Sequence, residues 1–161
     1  MNLAAIKNKL QSKSIFYSDA VLIEDMPSVI GYDKQFRWSW MATQLNTFFI
    51  ASDCGNTPIT IQFIEAHLKS AFAYTKSAYD GWPRGFQSAI GVVSIIISDN
   101  ITEEAKTYCK KLQSGKKWAG FTIPVVIDCS TKEVFFFDKR PMWGMIYFPY
   151  FTEMIMKLTM K

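Results

Sequence analysis

Apolar residues along the chain change their spacing several times, and each change marks an element. In "MNLAAIKNKLQSKS" the residues Leu3, Ile6 and Leu10 fall at helical spacing, which predicts a short amphipathic helix. Segments 15–24 and 29–33 read as short strands separated by "DMPS". "FRWSW" (36–40) then alternates, with Phe36, Trp38 and Trp40 on one face and Arg37 and Ser39 on the other, as in a half-buried strand. "TFFIAS" (47–52), "IGVVSIIIS" (90–98) and "TIPVVID" (122–128) are instead apolar on both faces, the pattern of strands in a sheet that is covered on both sides. "EVFFFD" (133–138) reads as the return strand of a hairpin through "CSTK".

The helices needed to cover those faces are also legible. Thr57 is placed to cap a helix with Pro58 at its first position, where a missing N–H costs nothing. Ile61, Ile64, Leu68, Ala71, Phe72 and Ala78 form its apolar stripe, Glu65 and Lys69 pair on its outer side, and Gly81 supplies the stop with Pro83 beyond. A second helix starts at Asn100, with Glu103 three residues on as in a capping box, and ends near Gly115. A last helix, from about Pro149, buries Phe151, Met154, Ile155 and Leu158. The order α-β-β-β-α-β-α-β-β-α contains β-α-β-α-β, whose crossovers make the strands parallel when they share a sheet. The expected fold is a three-layer α/β domain: a mixed sheet with antiparallel N-terminal strands, a parallel βαβαβ section, and helices on both faces. No linker, repeat or low-complexity tract divides residues 1–161, so a single globular domain is expected.

Composition narrows the class. Of 161 residues 49% are hydrophobic, 16% aromatic and 20% charged, which is far from disordered sequence and implies a dense interior. A net charge of +4 is mild, and nucleic acid is a disfavoured partner. Cys54, Cys109 and Cys129 are an odd number with no Cys-x-x-Cys pair, which fits reduced thiols in the cytoplasm. No apolar run is long enough to span a bilayer, so no membrane partner is expected; "MWGMIYFPYFTEMIMKL" is interrupted by Pro149, Glu153 and Lys157. Nothing in the pattern defines an oligomeric state.

Candidate chemistry follows from the parallel section. Open α/β sheets bind ligands at the carboxyl ends of their strands, and those ends are Asp53, Asp99 and Asp128. Three converging carboxylates would hold a divalent metal such as magnesium, the one cofactor the sequence admits. Turn and cap chemistry accounts for each aspartate separately and is the preferred reading. Cys54, a candidate ligand contact, lies near a helix start, which lowers a thiol pKa and raises its reactivity. His67, the only histidine, is roughly 15 Å along that helix from Thr57, too far for a catalytic pair with Cys54. It reads as a flank residue of a packed helix.

In "GWPRGFQSAIG" (81–91), Trp82, Arg84, Gly85 and Gln87 are candidate ligand contacts. Trp82 and Phe86 would stack, Arg84 would present its planar fork to a phosphate or carboxylate, and Gly85 would admit close approach. This segment should lie at the opposite edge from the aspartates. The lysines at 106, 110, 111, 116 and 117 cluster, but a solvated helix end explains them, and only Tyr108 and Trp118 interleave aromatically.

The α-β-β-β-α-β order of the first hundred residues resembles the core of the restriction-endonuclease-like PD-(D/E)xK nucleases. That resemblance would imply an Asp on one strand and Asp/Glu-x-Lys on the next, binding metal. The strand at 47–52 has no such trio, and the one match, Glu104-Ala-Lys106, falls on a helix. The expected function is therefore a non-catalytic binding or interaction protein that presents an aromatic-rich surface to a protein or small ligand. The alternatives are a metal-dependent hydrolase or degenerate nuclease-like domain using the strand-end aspartates, and a basic nucleic-acid-binding domain.

Overall fold

The computed structural model describes residues 1–22, 25–83, 87–111, 120–139 and 144–160. Its element order is α1 (Leu3–Ser12), β1 (Phe16–Val21), β2 (Pro27–Arg37), β3 (Thr43–Asp53), α2 (Ile61–Ala78), β4 (Ser88–Ser98), α3 (Glu103–Lys111), β5 (Gly120–Asp128), β6 (Glu133–Phe135) and α4 (Phe148–Thr159). The six strands form one sheet in chain order. β3, β4 and β5 are parallel, and the β1–β2, β2–β3 and β5–β6 pairs are antiparallel. This is the expected three-layer α/β arrangement.

Side-chain alternation divides the core into two layers. Leu45, Phe49, Ala51, Val93, Ile95, Ile123 and Val125 pack against Ile6 and Leu10 of α1 and Phe151, Ile155 and Leu158 of α4. On the other face, Ile96 and Val126 meet Ile64 and Leu68 of α2 and Ala105 and Cys109 of α3. Ile30, Phe48, Ile50, Ile90 and Val92 continue that face against Ala71 of α2. Continuous apolar strands were the sign of two covered faces, and all eleven positions of β4 are buried.

Several boundaries move for local reasons. Thr60, not Thr57, caps α2, accepting a hydrogen bond from the Phe63 amide at 3.2 Å. The preceding residues are drawn off by tertiary bonding: the Ile59 amide donates to the Asn100 carbonyl and Ile59 bridges Ile101. Thr102, not Asn100, caps α3 through the Ala105 amide. Gly81 is not a left-handed stop. The chain leaves α2 in extended conformation at Tyr79, and Gly81 is needed because a Cβ there would lie 2.6 Å from the Tyr79 ring. Glu65 accepts from the Tyr108 hydroxyl at 3.3 Å, on the side of α2 that meets α3.

"FRWSW" is not a strand with three aromatics on one face. β2 runs through Phe36 and Arg37, and Trp38–Trp40 is a 3-10 turn. Met41 and Ala42 then take left-handed conformations (φ 55° and 54°) that return the chain into β3. Trp40 is consequently buried against Tyr147 and Tyr150, whereas Trp38 is 81% exposed.

His67 is fully buried, not on the flank of α2. Its Nδ1 lies 2.7 Å from the Ser94 hydroxyl of β4 and its Nε2 lies 2.7 Å from the Ser52 hydroxyl of β3. Ser52 is 2.6 Å from Ser28 of β2, and Ser28 donates to the Met26 carbonyl. One orientation satisfies every group: Ser94 donates to Nδ1, Nε2–H donates to Ser52, Ser52 to Ser28, and Ser28 to Met26. Burial holds the imidazole pKa down at about 4, so the ring is neutral.

A histidine that titrates near 4 when folded and near 6.5 when unfolded makes the unfolded chain the better proton acceptor between those values. Its contribution to stability is therefore complete above pH 6.5 and falls as pH drops to 4, by about 3 kcal/mol. Urea denaturation of wild type and His67→Leu across pH 7 to 4 should show a shallower loss in the variant. At pH 7 the variant should be less stable by about 1–3 kcal/mol, because it strands the Ser52 and Ser94 hydroxyls. Parallel pH profiles would overturn this assignment.

Candidate functional site

The carboxyl ends of β3, β4 and β5 do share one edge, and they are stitched together there by backbone. The Cys54 amide donates to the Ile97 carbonyl, the Asp99 amide to Gly55, and the Cys129 amide to Ser98. Their aspartates nevertheless have separate duties. Asp53 continues the face of Leu45, Phe49 and Ala51 toward α1 and α4, and its carboxylate accepts from the Gly55 amide at 3.1 Å. Asp128 points to the opposite face, where its carboxylate lies 3.1 Å from the Lys106 ammonium of α3 and accepts from Ser130 and from the Thr131 amide. Burial alone would raise the Asp128 pKa, but Ser130, Lys106 and the Thr131 amide more than offset it and hold the carboxyl down at about 2. Asp99 follows β4 in the bend toward α3. Among the described residues no group of three His, Cys, Asp or Glu side chains is placed to hold a metal ion.

The thiol and the histidine are likewise occupied by packing. Cys54 is buried with Ile59, Ile64 and Leu68, and burial, reinforced by Asp53, pushes its thiol up to about 12, which favours the protonated thiol at neutral pH. Both ring nitrogens of His67 are taken by serines. Of the lysine cluster, Lys106 bonds Glu103 and Asp128, and both Lys106 and Lys110 lie over the Phe135 ring. Tyr108 is buried, and residues 116–118 lie outside the described residues. Glu104 and Lys106 sit on α3 with that lysine already paired, so the one nuclease-like match forms no metal site there.

The loop after α2 lies at the other edge, where β3 and β4 begin. Gln44 pairs with Ser88 in the sheet, and the Gln44 amide donates to the Gln87 carbonyl. Trp82 is held from beneath: its amide donates to Gln44 Oε1 at 3.1 Å, and its carbonyl accepts from the Tyr79 hydroxyl, which also meets Ser88. Gln44 Oε1 takes a second bond from buried Asn46, whose own oxygen accepts from Tyr32 at 2.7 Å. Gln87 takes a left-handed conformation (φ 63°) as the chain enters β4. Arg84 and Gly85 lie outside the described residues, as does Phe86.

Trp82 is 45% exposed, and its ring lies 5.7 Å from Phe36, which is 5.3 Å from Trp38. Phe36, Trp38, Met41 and Trp82 thus leave apolar surface in water at one end of the molecule. Met145 and Ile146 are also exposed, next in the chain to Tyr147, whose ring is 5.4 Å from Trp40. Beside Trp38, the Arg37 guanidinium lies 4.6 Å from the Trp40 ring and 5.8 Å from that of Tyr150. Tyr150 in turn donates to the buried Asp33 carboxylate at 2.7 Å, which Gln35 also bonds. Of this surface the sequence pattern points to Trp82 alone as a ligand contact, with Gln87 at the entry to β4. Trp38 and Met41 escaped because the turn contains no Gly, Pro, Asn or Asp, so nothing interrupted the alternation.

Comparisons with protein-family models, with curated proteins and with solved structures return no match. The α-β-β-β-α-β order is present in the structure. The functional reading rests on the geometry of this chain alone.

Two outcomes follow. Thermal unfolding with EDTA and then with magnesium, manganese or zinc should give the same midpoint, whereas 100-fold excess of a bound metal would add about 2.7 kcal/mol; a rise abolished by Asp53→Asn would restore the metal site. Trp40→Ala should cost about 3–5 kcal/mol as a core truncation, while Trp38→Ala should change stability by less than about 0.5 kcal/mol. Equal losses in urea titrations would mean that Trp38 is a packing residue.

Proposed function

We propose that this chain is a non-catalytic binding protein, acting as a single cytoplasmic domain, whose working surface is the aromatic end formed by Phe36, Trp38, Met41 and Trp82. The observation that carries the reading is the exposure of Trp38 and Met41, 81% and 82%, beside a polar framework that fixes the backbone under Trp82. Large apolar side chains held in water on a rigid base lose little freedom on binding, and Trp is prominent among the anchors that dominate interfaces. Trp38 and Met41 project from the turn between β2 and β3, which suits a protein surface, since small ligands favour concave sites.

Three free cysteines, two of them buried, support a reducing compartment. Among the described residues no helix is long and apolar enough to cross a membrane. Nucleic acid is disfavoured by the burial of Tyr108 and the structural engagement of Lys106 and Lys110. The metal-dependent hydrolase is the weaker alternative because Asp53 and Asp128 face opposite sides of the sheet.

Selection of a random peptide library displayed on phage tests the reading. Peptides recovered on the wild-type protein should bind Trp38→Ala or Met41→Ser at least tenfold more weakly, with the thermal midpoints of both variants unchanged. A selection that yields only peptides indifferent to both substitutions would sink the proposal.

A further inference from the structure

Arg37 is unusual among the charged residues near the aromatic end. It is exposed, directly precedes Trp38, and shares the face of β2 that carries Asp33 and Gln35, so its side chain rises against α4. Two rings hold its guanidinium, Trp40 at 4.6 Å and Tyr150 at 5.8 Å, and both rings are themselves buried. Tyr150 is fixed further by its bond to Asp33.

Among the described residues Arg37 makes no salt bridge with any carboxylate. Asp33, on the same face, already accepts from Tyr150 and Gln35. Glu153, the nearest acidic residue on α4 to feel its charge, is bonded to Lys157. Lys34, on the other face of β2, is bonded to the Asp80 carbonyl. A guanidinium stacked on aromatic faces keeps its N–H edge available, and that planar edge matches a carboxylate in a two-bond fork.

We propose, resting on the binding surface assigned above, that Arg37 makes this surface selective for an acidic segment of a partner protein. An apolar anchor of that segment packs against Trp38 at the end of β2, and a neighbouring Asp or Glu is taken by the guanidinium on the α4 side, across the strand from Phe36 and Trp82. The aromatic side chains supply contact area, and the arginine sets which segment is accepted. Charge complementarity is the argument for this occupant: the chain carries +4, and Arg37, which adjoins Trp38 in the chain, makes no salt bridge among the described residues.

The test uses an immobilised peptide array in which acidic and apolar content vary independently, probed with the full chain as wild type, Arg37→Gln, Arg37→Lys and Trp38→Ala, each first checked for an unchanged thermal midpoint. Bound peptides should be enriched in Asp or Glu within a few residues of Phe, Leu or Trp. Their affinity should fall about tenfold in Arg37→Gln, fall less in Arg37→Lys, and weaken from 50 to 500 mM salt, as a partly exposed ion pair requires. Peptides that depend on Trp38 but show no acidic enrichment and no response to Arg37→Gln would overturn the selectivity while leaving the binding surface standing. Loss of Trp38 dependence would overturn both. Sedimentation with phosphatidylcholine vesicles containing 30% phosphatidylserine, with no binding to acidic peptides, would assign the arginine to a lipid surface and overturn the protein partner.

Discussion

Strand β4 has no face in water. All eleven of its residues are buried, β5 is as fully enclosed, and β3 opens only at its two end residues. The rest of the fold answers to that constraint. Helices must cover both faces, so α1 and α4 take one and α2 and α3 the other. A polar side chain that falls inside gains by finding a partner inside, because an unmet hydroxyl or imidazole in such a place costs more than a hydrogen bond contributes. The line from Ser94 through His67, Ser52 and Ser28 to the Met26 carbonyl is that solution, and it ties α2 to three adjacent strands.

The same enclosure makes the two ends of the parallel section different from each other. At the carboxyl ends, the connecting turns bond to one another through backbone amides, and Asp128 is neutralised by Lys106, so the edge is closed by its own chain. At the amino ends, β2 and β3 are joined by a turn that drives Trp40 inward and leaves Trp38 and Met41 outside. Burial of Trp40 anchors the turn, and the left-handed Met41 and Ala42 set its direction. The exposed aromatics are therefore mounted on fixed backbone instead of a loose loop, which is the property that a binding surface needs.

Covering both faces of a sheet demands long apolar strands and amphipathic helices, and those demands are written locally. Period and run length alone therefore determined the order of helices and strands, the parallel middle, the antiparallel flanks and the three layers. They also determined that Trp82 and Gln87 lie away from the strand-end aspartates. Tertiary structure decided whatever depended on residues far apart in sequence. Ile59 left the start of α2 to bridge Ile101, Asp53 and Asp128 turned to opposite faces, and His67 met serines from two different strands. The aromatic end belongs to the same group. "FRWSW" has the alternation of a strand, and only the reversal into β3 and the packing of Trp40 on α4 separated the tryptophan that is core from the one that faces water. Periodicity reports which side of an element a residue occupies, but what stands opposite that side is set by chain brought in from elsewhere.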